Sequence, residues 1–132
     1  LVYPMLDDRN DSCSGRQMAG VGAWDRSANA TGWSAYLGPR AGGPDVPGHA
    51  APARELDLSG LPPTFIDVAS AETFRDEDVM FAMRIWACGG RAELHVWPGG
   101  CHGFDALVPG AQISQDAVQA RVRWLRRVLS CP

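Results

Sequence analysis

Two short, mostly apolar runs, Thr64-Phe65-Ile66-Asp67-Val68-Ala69 and Glu93-Leu94-His95-Val96-Trp97, are separated by one stretch of helical spacing. That order leaves little freedom. Strands joined through a helix become parallel neighbours in a sheet, because only antiparallel strands close through a tight turn. Gly60-Leu61-Pro62-Pro63 punctuates before the first run, and Pro98-Gly99-Gly100 closes the second. Between them, Asp76 to Cys88 reads as a helix with Val79, Ala82, Met83 and Trp86 on one apolar face. Asp76, Glu77 and Asp78 favour the positive end of its dipole, and Gly89-Gly90 supplies the stop. Gln115 to Leu129 reads as a second helix, with an apolar stripe of Val118, Val122, Leu125 and Leu129. Arg123, Arg126 and Arg127 lie near its negative end.

The chain opens on Leu1-Val2-Tyr3-Pro4-Met5-Leu6, apolar at once and rich in strand formers. It reads as a strand met in the middle of something longer. Residues 9–60 then form a loop-rich insertion, with Gly and Pro crowded into Gly38-Pro39-Arg40-Ala41-Gly42-Gly43-Pro44 and Pro47-Gly48. Inside it, Ser27 to Leu37 reads as a short helix with Ser27 as N-cap and Gly38 past its end. So long a connection is usually functional, as a lid or a pocket wall. The expected organisation is one partial domain over 1–132: a strand region at 1–8, the insertion at 9–60, and strand–helix–strand–helix at 61–132. The class is α/β with parallel strands.

Composition narrows the function. At 132 residues, with 45% hydrophobic and 20% charged, the chain has the balance of a core-forming domain rather than a disordered one. Its formal net charge is −3 and its 12 basic residues, all Arg, are scattered, so nothing favours nucleic acid. No apolar run approaches the roughly 18 residues of a membrane span. The opening residues carry no basic region or cleavage site of a signal peptide. Cysteines 13, 88, 101 and 131 match no zinc spacing, and reduced thiols in the cytoplasm are expected.

Chemistry in a parallel α/β sheet gathers at the carboxyl ends of strands. One such loop carries Ser70-Ala71-Glu72-Thr73-Phe74-Arg75-Asp76-Glu77-Asp78, and the other Gly99-Gly100-Cys101-His102-Gly103-Phe104. Adjacent strands put the loops side by side, so a carboxylate from one can meet the imidazole of the other. A carboxylate accepting from one ring nitrogen fixes the tautomer and frees the other nitrogen as a base.

The stretches YPMLDDR (3–9), NATGWSAYLG (29–38), LSGLPPTFIDVASAETFRDEDVMFA (58–82) and ELHVWPGGCHGFD (93–105) resemble the α/β-hydrolase superfamily. The resemblance is to bacterial hormone-sensitive-lipase-like esterases and lipases. It implies that the chain is the C-terminal part of the fold, with the last three parallel strands, flanking helices and a loop-rich insertion. It also implies that His102, in the His-Gly-Phe motif, is the catalytic histidine. The catalytic acid falls on Glu72, first in a pattern resembling Asp-Pro-Leu-Arg-Asp-Glu, with Asp76 as fallback. Glu replaces the commoner Asp, an exchange the superfamily accepts. Trp24, Trp33, Tyr36 and Leu37 are candidates for an apolar pocket wall or for simple packing of the insertion. Trp33, Tyr36 and Phe104 are the candidate substrate-binding residues.

The implied activity is hydrolysis of a small hydrophobic ester without metal or organic cofactor. An amide substrate, as in acylaminoacyl peptidases, fits the same motif, and a non-catalytic remnant acting as a small binding module is the alternative from another class. The G-x-S-x-G nucleophile elbow and the HGGG-type oxyanion loop do not occur in these residues. Ser34, in Gly32-Trp33-Ser34-Ala35-Tyr36, lacks the second glycine, and Ser70 lacks an elbow altogether. Asp7, Asp8 and Asp11 lack EF-hand spacing. The expected partners are the missing N-terminal half of the fold or a second copy paired through the first strand's open edge. The isolated chain is therefore expected to show no turnover of p-nitrophenyl esters above background, and burst acylation by a fluorophosphonate would contradict this.

Overall fold

In the computed structural model, which describes residues 1–130, β1 (Thr64–Ala69) and β2 (Ala92–Trp97) form a two-stranded parallel sheet. Thr64 faces Ala92 and Ala69 faces Trp97, so the strands end together. Every residue of β1 from Phe65 to Ala69 is buried, as expected of a strand covered on both faces and flanked on both edges. The N-terminal segment lies along its other edge. There Val2 makes a single parallel bridge to Asp67, and the Tyr3 N–H donates to the Asp67 carbonyl at 2.6 Å.

The expected strand over 1–6 is thus shorter than the apolar run suggests. Tyr3 has φ of 35°, in the left-handed region, and this turns the backbone off the ladder. Beyond it the Leu6 and Asp7 N–H groups donate to the Glu77 carboxylate, at 2.7 and 3.2 Å, instead of to a strand. Cys131 and Pro132, within the last expected segment, lie outside the described residues.

The helix between the strands, α3 (Arg75–Ala87), packs through a different face from the expected one. Ala82 is buried, but Met83 and Trp86 are exposed; the inward face is Glu77, Asp78, Phe81, Ala82 and Ile85. Two acids on that face disguise it in the sequence. Phe81, Ala82 and Ile85 close a core with Leu6, Leu58 and Ile66.

The C-terminal helix α5 (Gln112–Leu129) starts earlier than Gln115, and it too turns its apolar stripe outward. Val118, Val122 and Leu125 are exposed, and Leu129 is 80% exposed. Ser114 and Ala117 face inward instead, with Ala117 against Ala69 and Phe104. A short helix, α4 (Phe104–Leu107), follows Gly103, whose φ of 71° makes the turn.

The insertion is more ordered than its Gly and Pro content suggests. It holds α1 (Cys13–Gln17), α2 (Arg26–Leu37) and 3₁₀ turns at Gly38–Arg40 and Pro52–Arg54. The N-cap of α2 is Asp25, not Ser27: its Oδ1 accepts the Ala28 N–H at 2.7 Å, and the Ser27 hydroxyl donates to the same carboxylate. Trp33 and Leu37 pack with Val46 and Ala51 into a second core. Buried Asp8 ties the insertion down by pairing with Arg54 at 2.6 Å and accepting the Gly42 N–H. Ile85→Ala should lower stability by about 2–5 kcal/mol through the cavity it leaves. Val122→Gln, on the exposed face of α5, should stay within about 0.5 kcal/mol in the same denaturant titration.

Candidate active site

The loops that leave β1 and β2 are stitched together by their backbones. Ser70 N–H donates to the Trp97 carbonyl at 2.8 Å, Ala71 N–H to the Gly100 carbonyl at 3.0 Å, and Gly99 N–H to Ser70 Oγ at 2.8 Å. Gly100 suits this closeness, since a Cβ there would sit a tight 3.1 Å from the Phe104 ring and 3.2 Å from the Ala69 methyl. The stitching brings Glu72 and His102, thirty residues apart, into contact. His102 Nδ1 and Glu72 Oε1 are 2.5 Å apart. Glu72 is 1% exposed, while the His102 side chain is a quarter open to solvent, at 25%. The second Glu72 oxygen accepts the Ala69 N–H at 3.5 Å. With Nδ1 engaged, Nε2 makes no hydrogen bond among the described residues.

Three aromatic rings surround the imidazole. Tyr3 meets it edge-on with centroids 4.7 Å apart, Phe74 does the same at 5.4 Å, and Trp24 lies tilted at 5.8 Å. They come from three places: the end of the N-terminal segment, the segment leading into α2, and the N-cap of α3. The Thr73 hydroxyl, next to Glu72, donates to the Trp24 carbonyl at 2.7 Å and so fixes the insertion over this loop. Tyr3 and Phe74 lie in stretches that carry the family resemblance, but nothing there marks either as a neighbour of the imidazole.

Asp76 points elsewhere. Its Oδ2 accepts the Ser14 N–H at 2.7 Å, Arg75 Nε lies 2.9 Å from Oδ1, and its own N–H donates to Ser14 Oγ. These bonds to Arg75 and Ser14 hold its pKa below the usual carboxylate range despite desolvation. It anchors α1. The candidate pocket residues do not gather at His102 either. Trp33 and Phe104 are buried in the packing of their own elements, and Tyr36 is 61% exposed beside Trp33. Of the insertion's aromatics it is Trp24 that reaches the imidazole. Ser34 lies exposed on α2, and Ser70 Oγ serves the Gly99 N–H. A cleft of about 560 Å³ opens between α3 and the insertion, lined by Arg9, Arg54, Glu77, Phe81 and Arg84 among others, and includes neither Glu72 nor His102.

A profile of the alpha/beta hydrolase fold matches residues 1–106. The chain belongs to the α/β-hydrolase family. Among solved structures, it is 35% identical to a bacterial heroin esterase, covering 99% of this chain and 42% of that one with a TM-score of 0.90. The esterase LipW from Mycobacterium marinum is 33% identical, covering 99% and 40% with a TM-score of 0.91. A carboxyl esterase from Tuber melanosporum shares the fold at 22% identity and a TM-score of 0.83, covering 98% and 43%. This hydrolase chain therefore spans about two fifths of the length of these relatives. No curated protein matches it. No helix among its described residues is long and apolar enough to cross a membrane.

Beneath the loop lie two more acids. Burial pushes the Glu77 carboxyl up to about 8, against the pull of the Leu6 and Asp7 N–H groups. Asp78 is raised well above the carboxylate range, first by burial and then by Glu77 and Glu72, and neither of its oxygens has a partner among the described residues. Both acids bind a proton more tightly folded than unfolded, so folded stability falls as pH rises from the ordinary carboxylate range through about 8. Glu77→Gln keeps an acceptor for Leu6 and Asp7. It should flatten much of the fall in melting temperature between about pH 5 and pH 8; an unchanged slope would exclude Glu77 as its source.

Proposed function

We propose that this hydrolase chain is the acid- and histidine-bearing part of a serine carboxylic-ester hydrolase acting on small hydrophobic esters. The 2.5 Å contact between Glu72 and His102 carries the reading. Glu72 holds the proton on Nδ1, which presents the Nε2 lone pair to a serine hydroxyl supplied by sequence other than these residues. His102 takes that proton as the serine attacks the ester carbonyl, and returns it to the leaving alcohol. The same cycle, with water in place of serine, releases the acid. Glu72 stabilises the imidazolium at both stages, and no step calls on a metal or an organic cofactor. Tyr3, Trp24 and Phe74 form an apolar collar around the base that suits an ester lacking charge. The esterases among its relatives support the same substrate class.

The other half of the site is expected from an N-terminal half of the fold, whose docking would cover apolar surface that this chain leaves open. Val118, Val122 and Leu125 are part of that surface. In the absence of such a partner, a second copy of the chain would pair through the open edge of the first strand.

Co-expression with the N-terminal half of a related esterase tests the reading. The reconstituted protein should hydrolyse p-nitrophenyl esters, and Glu72→Gln should lower kcat by about 10⁴-fold, as for a triad acid that can no longer hold the right tautomer. Asp76→Asn should loosen α1 while leaving kcat within a few-fold. Retained activity in Glu72→Gln with loss in Asp76→Asn would overturn the assignment of the acid.

A further inference from the structure

Behind the imidazole lies a polar network that proton transfer does not use. Asp67, in the middle of β1, is fully buried. Its Oδ2 accepts from Arg121 Nε at 2.8 Å and from Trp97 Nε1 at 3.1 Å. Through Nη1, Arg121 of α5 also binds Asp105, three residues beyond His102 on α4. Asp105 in turn accepts the Tyr3 hydroxyl at 3.3 Å, and the Arg121 guanidinium lies 5.9 Å from the centre of the Tyr3 ring. The circuit closes on the residue where it began, because the Tyr3 N–H donates to the Asp67 carbonyl.

The arrangement is costly. Two carboxylates share one arginine in a largely dry place, and Asp67 Oδ1 and Arg121 Nη2 have no partner among the described residues. Well-packed apolar side chains would be at least as stable there. Tyr3 also adopts φ of 35°, a left-handed backbone that strains a bulky residue. Strain and buried charge converge on one aromatic ring, and that ring is the one nearest the imidazole.

We propose that Tyr3, Asp105, Arg121 and Asp67 are positioning residues that hold the His102 ring in the plane from which Nδ1 meets Glu72. One hydrogen bond leaves an imidazole free to pivot about the N···O line. Tyr3, locked at its hydroxyl by Asp105, at its face by Arg121 and at its backbone by Asp67, closes one side of that pivot, and Phe74 closes another. Arg121 couples the helix that carries it to the histidine loop and to the strand behind it. The inference rests on the Glu72–His102 pair being the base and its orienting acid.

The readout is the hydrogen bond itself, observed in this chain by proton NMR as the downfield His102 Nδ1–H resonance and its exchange rate with water. Glu72→Gln should abolish the resonance. Tyr3→Phe keeps the ring and removes only the hydroxyl. It should speed exchange severalfold, and Arg121→Lys, which loses the fork but not the charge, should speed it by about tenfold, as expected for losing a charged hydrogen bond. Arg126→Gln, on the exposed side of the same helix, should leave the rate unchanged. An unaltered rate in Tyr3→Phe overturns the proposal, whether or not the melting temperature falls and whether or not Arg121→Lys folds. Absence of the resonance from the unsubstituted chain would instead refute the Glu72–His102 pair, so the two failures are told apart.

Discussion

A carboxylate removed from water needs a partner, and the register of two parallel strands supplies one to Glu72. Its side chain is almost wholly buried, where an unpaired charge would be strongly destabilising. His102 Nδ1 and the Ala69 N–H are its hydrogen-bond partners. The first depends on β1 and β2 ending level with each other, since Ala69 opposite Trp97 is what puts the two loops within backbone hydrogen-bonding distance; the second is made within the loop that leaves β1. A slip of one residue would move Ser70 away from Trp97 and His102 away from Glu72. The pairing of the strands and the pairing of Glu72 with His102 are therefore one constraint.

The same constraint explains why α3 is rotated from its expected orientation. The loop that presents Glu72 leads directly into Phe74 and the first turn of the helix, so the azimuth of α3 is set by where Glu72 must point. Glu77 then faces the N-terminal segment and caps the Leu6 and Asp7 N–H groups, while Met83 and Trp86 turn outward. Acids on the inner face and large apolar residues on the outer face run against burial in an isolated domain. The outward stripe of α5 does the same.

The strand–helix–strand–helix order, the parallel sheet and the two chemistry-bearing loops were legible because each rests on local spacing or on Gly and Pro punctuation. Glu72 and His102 were legible through their motifs, and the structure brings those two side chains together. What local pattern could not reveal were orientations. Periodicity reports that a helix has an apolar side but not whether the sheet lies beneath it, and Asp78 in the middle of the buried face hid the true one. The first strand looked longer than it is because apolar composition does not register the left-handed turn at Tyr3. Asp25 displaced Ser27 as the cap because both suit the role and the helix simply begins two residues sooner. Trp33 and Phe104 have the composition of pocket walls, but bulky aromatics are as useful to a core, and their neighbours made that choice.

The residues around His102 divide according to how far their positions can drift. Trp24 and Phe74 arrive on a loop and a helix cap, joined to the acid loop through the Thr73 hydroxyl. Tyr3 is bound instead to the centre of the sheet, directly at the Asp67 carbonyl and, by way of Asp105 and Arg121, at the Asp67 carboxylate. A β-strand buried on both faces is the least mobile element available in such a fold. One side of the imidazole is thus tied to the buried strand, and the other is bordered by the acid loop and the insertion.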